Sequence, residues 1–83
     1  MNILIRNLAA IAIPKQLRYL FAEFGLVNHA LIIREGMLAA PRIFGLVIMT
    51  NEADGLNAIK KLDQSKFMQQ IILVNRALLM PAL

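Results

Sequence analysis

Few side chains in this sequence could do covalent chemistry, and they are poorly matched to one another. The hydroxyl residues are Tyr19, Thr50 and Ser65, and cysteine is absent. A nucleophile needs a base in hydrogen-bond reach and a third group to orient that base, which this set cannot supply. His29 is the only histidine and stands beside a strand start, so it reads as a polar surface residue; a metal site would need partners that the sequence lacks. Glu52, Asp54 and Asp63 look like helix-end charges rather than an acid–base pair. The four glycines are dispersed, so no phosphate-cradling loop is present. The expectation is therefore no enzyme, no cofactor and no metal, and a protein that works by binding.

Charge bears only modestly on what it would bind, since scattered basic residues also serve as ordinary solubilising charge. Nine Lys and Arg against five Asp and Glu give a net charge of +4, which favours polyanions through counterion release. Lys60, Lys61 and Lys66 cluster late in the chain and read as a solvated helix surface with its following loop, while Arg6, Arg18, Arg34, Arg42 and Arg76 are scattered. The apolar fraction of 59% is high for a soluble domain and implies greasy surface that something should cover. With 83 residues and no cysteine, the chain suits one domain held by apolar packing alone. A cytoplasmic location is expected. Met1-Asn2 is no cationic leader, Arg6-Asn7 interrupts the first apolar stretch, and no apolar run approaches the roughly 20 residues of a membrane helix, so no membrane partner is expected.

The elements that must position these residues follow from periodicity. Ile3-Leu4-Ile5, continued by Arg6-Asn7-Leu8, is aliphatic and β-branched and predicts a first strand, with Asn7 as a turn-former that closes it. From Pro14 to Phe24, Leu17, Leu20, Phe21 and Phe24 recur at helical spacing, with Lys15, Arg18 and Glu23 on the other side. Pro14 suits the first helical position and Gly25 the residue past the end, although Ile13 offers no side-chain oxygen as a cap. Ala30 to Ile33 predicts a second strand, Gly36 to Pro41 a loop exposing Met37 and Leu38, and Ile43 to Met49 a long apolar third strand. Asn51 can cap a second helix, with Glu52 and Asp54 against its N-terminal dipole and Leu56, Ile59 and Leu62 on its buried side. Ile71 to Val74 is the fourth strand. The order βαββαβ predicts an α+β, ferredoxin-like fold, a four-stranded antiparallel sheet with two helices on one face.

Two segments carry a more specific signal. Ile3-Leu4-Ile5-Arg6-Asn7-Leu8 and Arg42-Ile43-Phe44-Gly45-Leu46-Val47-Ile48-Met49 resemble the paired strand motifs of the RNA-recognition-motif (RRM) family, at a spacing similar to that of short bacterial single-RRM RNA-binding proteins. The first lacks only the aromatic of its second position, here Leu4. In the other, Ile43 replaces a glycine and Leu46 replaces the second aromatic. Leu17-Arg18 through Phe24-Gly25, Ala58-Ile59 to Leu62, and Phe67-Met68 resemble the family's two helices and the pair leading into its last strand. The domain would then occupy residues 1–77, followed by an apolar tail, 78–83.

What the resemblance implies is a single-stranded RNA partner, with unstacked bases laid on aromatics of the two central strands and a basic residue beside them on phosphate. If Ile3, Ile5, Gly45, Val47 and Met49 face the helices, alternation turns Leu4, Arg6, Arg42, Phe44, Leu46 and Ile48 outward. The stacking trio maps onto Leu4, Phe44 and Leu46, of which Phe44 alone keeps a π-face, and Arg6 and Arg42 are the phosphate or base contacts. Leu31, Ile33 and Leu73 should join Leu4, Leu46 and Ile48 in an aliphatic patch on the same face. That patch suggests a second use, as a protein-interaction surface for a homodimer, another protein, or the apolar tail.

Overall fold

The computed structural model describes residues 1–37 and 40–78. Its elements are β1 (Asn2–Arg6), α1 (Pro14–Ala22), β2 (Val27–Met37), β3 (Ala40–Met49), α2 (Glu52–Leu62), β4 (Lys66–Phe67), β5 (Gln70–Ile71) and β6 (Leu73–Arg76). Four of the strands form one sheet in the order β2-β3-β1-β6, and β1 pairs antiparallel with both β3 and β6. The expected βαββαβ, ferredoxin-like architecture is what the chain builds, with a small β4–β5 hairpin added before the last sheet strand.

Both helices lie on one face because alternate strand residues supply a continuous apolar floor. Ile3 and Ile5 of β1, Ile43, Val47 and Met49 of β3, and Val74 of β6 are buried with Leu17 and Phe21 of α1 and Ala58 and Leu62 of α2 in one cluster. Gly45 belongs to that floor, and its missing side chain matters: a Cβ there would lie 2.7 Å from Leu17 Cδ2 and 3.0 Å from Leu8 Cδ1. Glycine lets α1 settle directly onto β3. Gly55 plays the same part under α2, where a Cβ would run into the side chain of Met1.

The helix ends are satisfied by local chemistry. Asn51 Oδ1 accepts the Asp54 N–H at 3.2 Å, and Glu52 and Asp54 in the first turn and Lys60 and Lys61 in the last complement the dipole of α2. At α1, Pro14 stands at the first position, and Gln16 Oε1 accepts the Ile13 N–H at 3.0 Å, half of a capping box where the cap itself has no oxygen. The β6 edge is blunted by Asp63, whose Oδ1 accepts the Val74 N–H at 2.9 Å.

Several expected boundaries move. The second strand runs from Val27 to Met37 rather than Ala30 to Ile33, and the expected Gly36 to Pro41 loop is largely paired, Gly36 with Pro41 and Met37 with Ala40. A long partner strand carries ladder pairing past the point where apolar alternation stops. Leu38 lies outside the described residues. The first helix ends at Ala22 rather than Phe24, its last turn closed by the Phe24 N–H on the Phe21 carbonyl at 3.0 Å. Ile59 and Leu62 lie on the buried side of α2 as expected, but Leu56 is exposed; its place on that side is taken by Gly55, which admits Met1, and Ala58 completes the stripe. The last sheet strand starts at Leu73, since Gln70 and Ile71 pair with Phe67 and Lys66 across a turn in which Met68 and Gln69 have φ of 52° and 67°. Among the described residues no helix is long and apolar enough to cross a membrane.

Asn7 ends β1 with φ 63°, and its Nδ2 donates to the Ile71 carbonyl at 2.8 Å, so it ties the first strand to the hairpin before the last. Two stability predictions follow from these contacts. Gly45→Ala should lower the unfolding free energy by about 1–3 kcal/mol in a denaturant titration, the range for overpacking. Asn7→Ala should cost about 2 kcal/mol, from the left-handed backbone and the lost hydrogen bond, whereas Asn7→Gly should cost about 1 kcal/mol because it keeps the backbone conformation. Equal losses for the two Asn7 variants would show that the backbone conformation contributes nothing.

Candidate nucleic-acid interface

The pleat that buries Ile3, Ile5, Val47 and Met49 turns their neighbours to the other side of the sheet, which no helix covers. Register places these neighbours in rows. Ile33 lies opposite Phe44 on one side of the face, and Arg6 lies opposite Leu73 on the other. The next row reads Leu31, Leu46, Leu4, Asn75, and the one after it His29, Ile48, Asn2. Glu35 and Arg42 form a pair at the opposite end, beyond Phe44. All the sequence-predicted contact residues, Leu4, Arg6, Arg42, Phe44 and Leu46, are thus brought together on one face, and the patch residues Leu31, Ile33, Ile48 and Leu73 share it.

Their accessibility differs, and the difference bears on what each can touch. Arg6 and Arg42 are exposed, and Phe44, Leu4, Ile33 and Ile48 are half-buried. Leu31 and Leu73, near the two sheet edges, are 37% and 36% exposed. Leu46 is only 1% exposed although it is no part of the helix-side core. It sits mid-sheet with Leu31 and Leu4 in register on either side and Phe44 and Ile48 two residues away along its own strand. The aliphatic patch is therefore a ridge with a closed centre rather than a uniformly open surface.

The arginines divide into two groups. Arg18 donates to the carbonyls of Val27 and Asn28 at 2.7 and 3.3 Å, and Arg34 to those of Ala10 and Ala12 at 3.2 and 2.8 Å. Arg76 pairs with Glu52 at 2.8 Å. These three fasten loops and strand ends to the body of the domain. Arg6 and Arg42 make no hydrogen bond or ion pair with any described residue, even though Glu35 is the register partner of Arg42. Beside them a pocket of about 230 Å³ is lined by Asn7, Leu8, Arg42, Ile43 and Phe44. Two unengaged guanidinium groups on the face that carries an accessible phenyl ring can hold phosphate while a base lies on the ring.

Asn2, Asn75 and His29 lie on this face and were not read as part of it; His29 alone of the three carries a ring. His29 is exposed and lies in register with Ile48, between the core-packed Val27 and Ala30 on its own strand, past a bulge at Val27/His29. The signal was available: counting back by twos from Ile33 and Leu31 reaches it. Among the described residues no group of three or more His, Asp or Glu side chains is placed to hold a metal ion.

Comparison with known proteins gives the same fold and a family. Over 77 residues the chain is 34% identical to RbpA, a candidate RNA-binding protein of Nostoc sp. (strain PCC 7120 / SAG 25.82 / UTEX 2576), a stretch covering 93% of this chain and 76% of that protein. Among solved structures, RNA binding protein PG1 superposes with a TM-score of 0.86 at 32% identity, covering 99% of both chains. RNA recognition domains 1 and 2 of Sex-lethal from Drosophila melanogaster give a TM-score of 0.80 at 25% identity, covering 92% of this chain and 48% of that one. Residues 3–73 match the RNA recognition motif family, and with the same fold and the paired strand motifs side by side at the centre of the sheet, the chain belongs to that family.

Proposed function

We propose that this chain binds single-stranded RNA on the helix-free face of the sheet, with Phe44 stacking a base and Arg6 and Arg42 holding phosphate or base edges. The observation that carries the proposal is the division of the arginines: three are spent on the protein's own acceptors, and the two left unengaged stand on the same face as Phe44. Family membership, the name of the RbpA relative and the likeness to an RNA binding protein structure support the same reading. Binding is weaker than that of a face with three aromatics. Each base–aromatic stack is worth about 1–3 kcal/mol, so leucine at positions 4 and 46 forgoes roughly 2–6 kcal/mol, offset in part by apolar contact.

A titration with mixed single-stranded RNA oligomers at several salt concentrations tests this. If about two or three phosphates are neutralised, the log–log salt slope should lie near −1.4 to −2.1. Phe44→Ala should weaken binding by about 5- to 150-fold and Leu4→Tyr should strengthen it within the same range. No binding at high micromolar protein in low salt would refute the proposal.

A second reading has one observation in its favour: Leu31 and Leu73 leave more than a third of their surface in solvent at opposite sides of an aliphatic ridge. Through that face the domain would dimerise or dock another protein. Light scattering over a dilution series should then show mass falling toward the monomer, and Leu31→Lys should lower the dimer fraction while sparing the fold, since a charge at an exposed strand position costs the monomer little. A monomer at tens of micromolar would exclude self-association.

A further inference from the structure

We infer that His29 is a second base-stacking platform, at the far end of the sheet face from Phe44, so that the bound strand runs diagonally across the ridge from one to the other. The inference rests on the reading of the face as an RNA surface and adds a contact residue and a path to it.

Three observations carry it. The first is placement: Ala30 and Ile32 pack against the core, so His29, Leu31 and Ile33 lie on the helix-free side, and His29 is in register with Ile48 just as Ile33 is with Phe44. The second concerns the other ring side chains. Phe21, Phe24 and Phe67 pack in or against the core, and Tyr19 lies on α1 with Lys15 Nζ 5.8 Å from its ring centroid, which leaves Phe44 and His29 as the rings on the face. The third is availability, because His29 is exposed and its imidazole makes no hydrogen bond to a described residue. An imidazole offers a flat π-face and belongs to the set of side chains on which unpaired bases stack.

Geometry then fixes what length of ligand can use both rings. Phe44 and Ile48 are four positions apart along β3, and His29 is one strand further out, so the two rings stand about 14 Å apart by strand rise and spacing. Neighbouring bases, about 3.4 Å apart in a stacked strand, cannot span that distance. At least one base must cross the Leu46 and Leu31 ridge between them, where only apolar, sequence-tolerant contact is offered. Asn2 stands in the same row across Ile48 from His29, two strands away, and supplies an amide at that end of the face.

The test is an amide and imidazole chemical-shift titration of the full chain with an adenosine pentanucleotide and an adenosine dinucleotide at low salt. The pentanucleotide should move the His29 ring protons upfield, the ring-current mark of stacking. His29→Ala should weaken pentanucleotide binding by about 5-fold or more, His29→Phe should preserve it, and dinucleotide binding should be indifferent to both. Phe44→Ala serves as the reference, since it should weaken binding at both lengths. Loss with Phe44→Ala but none with His29→Ala overturns this inference and leaves the RNA reading intact. Retention by His29→Lys with loss by His29→Phe also overturns it, by showing that the contact is ionic. Failure of the unaltered chain to bind either oligomer overturns both readings.

Discussion

The pleat of β3 is the constraint on which the rest depends. Its residues alternate between two environments that share no chemistry: Ile43, Gly45, Val47 and Met49 under the helices, and Arg42, Phe44, Leu46 and Ile48 on the uncovered face. Because the side-chain period is two, a one-residue slip would drive Arg42 and Phe44 into the core and expose Val47 and Met49. Such a slip is opposed on both faces. Only glycine fits where Leu17 and Leu8 press against the strand, so a slip would bring a side chain into that space, and β3 is held in antiparallel register by β1 on one side and β2 on the other. The same fixity that stabilises the core thus turns Arg42 and Phe44 to the uncovered face, and no separate device is needed to orient them.

On the uncovered face, the energetics of the proposed contact are set by what each position presents. A planar base lies flat on a ring and the two contacting faces lose their water together, but on a branched aliphatic side chain it meets an uneven surface and gains only area-proportional burial. Electrostatic attraction is spread differently. Arg6 and Arg42 are on long, exposed side chains, so their contribution is screened by salt and varies little with sequence. Arg18, Arg34 and Arg76 carry the same charge but are tethered to carbonyls or to Glu52, so they add to the general positive field and not to a specific contact. The net charge alone does not distinguish the two groups; the hydrogen-bond partners do.

The parts of this molecule that were legible in the sequence are those where local pattern and tertiary demand agree. Alternation in Ile3-Leu4-Ile5 and in the β3 segment identified the two central strands and sorted their faces, and Asn51 with Glu52 and Asp54 marked the start of α2. Where tertiary contact overrides local pattern, reading failed. The β2–β3 hairpin extends through Gly36 and Pro41, residues that argue for a loop, because each strand gives the other a ladder partner. Leu56 has the side chain of a buried residue and Gly55 does not, yet the space left by Gly55 for Met1 fixes the rotation of α2 and turns Leu56 outward. His29 was missed for a related reason. Its strand extends three residues earlier than the expected start at Ala30, so the count by twos through Ile33 and Leu31 stopped one step short of it, and pairing with Ile48 supplies that step.

The burial of Leu46 decides how the face divides its labour. In a sheet with an aromatic at that position the centre would be a platform, and recognition would concentrate there. Here the middle row, Leu31, Leu46 and Leu4, is aliphatic, and its central member is closed to contact. Polar and charged groups stand at the ends instead: Arg42 and Arg6 with Phe44 at one, Asn2 and His29 at the other. A strand lying across such a surface would be held at two separated places and carried passively between them. On the proposed reading, discrimination among bases would fall to the ends and to Asn75 at the β6 edge, where side-chain donors and acceptors exist, and tolerance to the aliphatic stretch between them. On that proposed reading, chain length rather than sequence would be the first property that this face distinguishes, because a ligand too short to reach both ends forgoes one of them entirely.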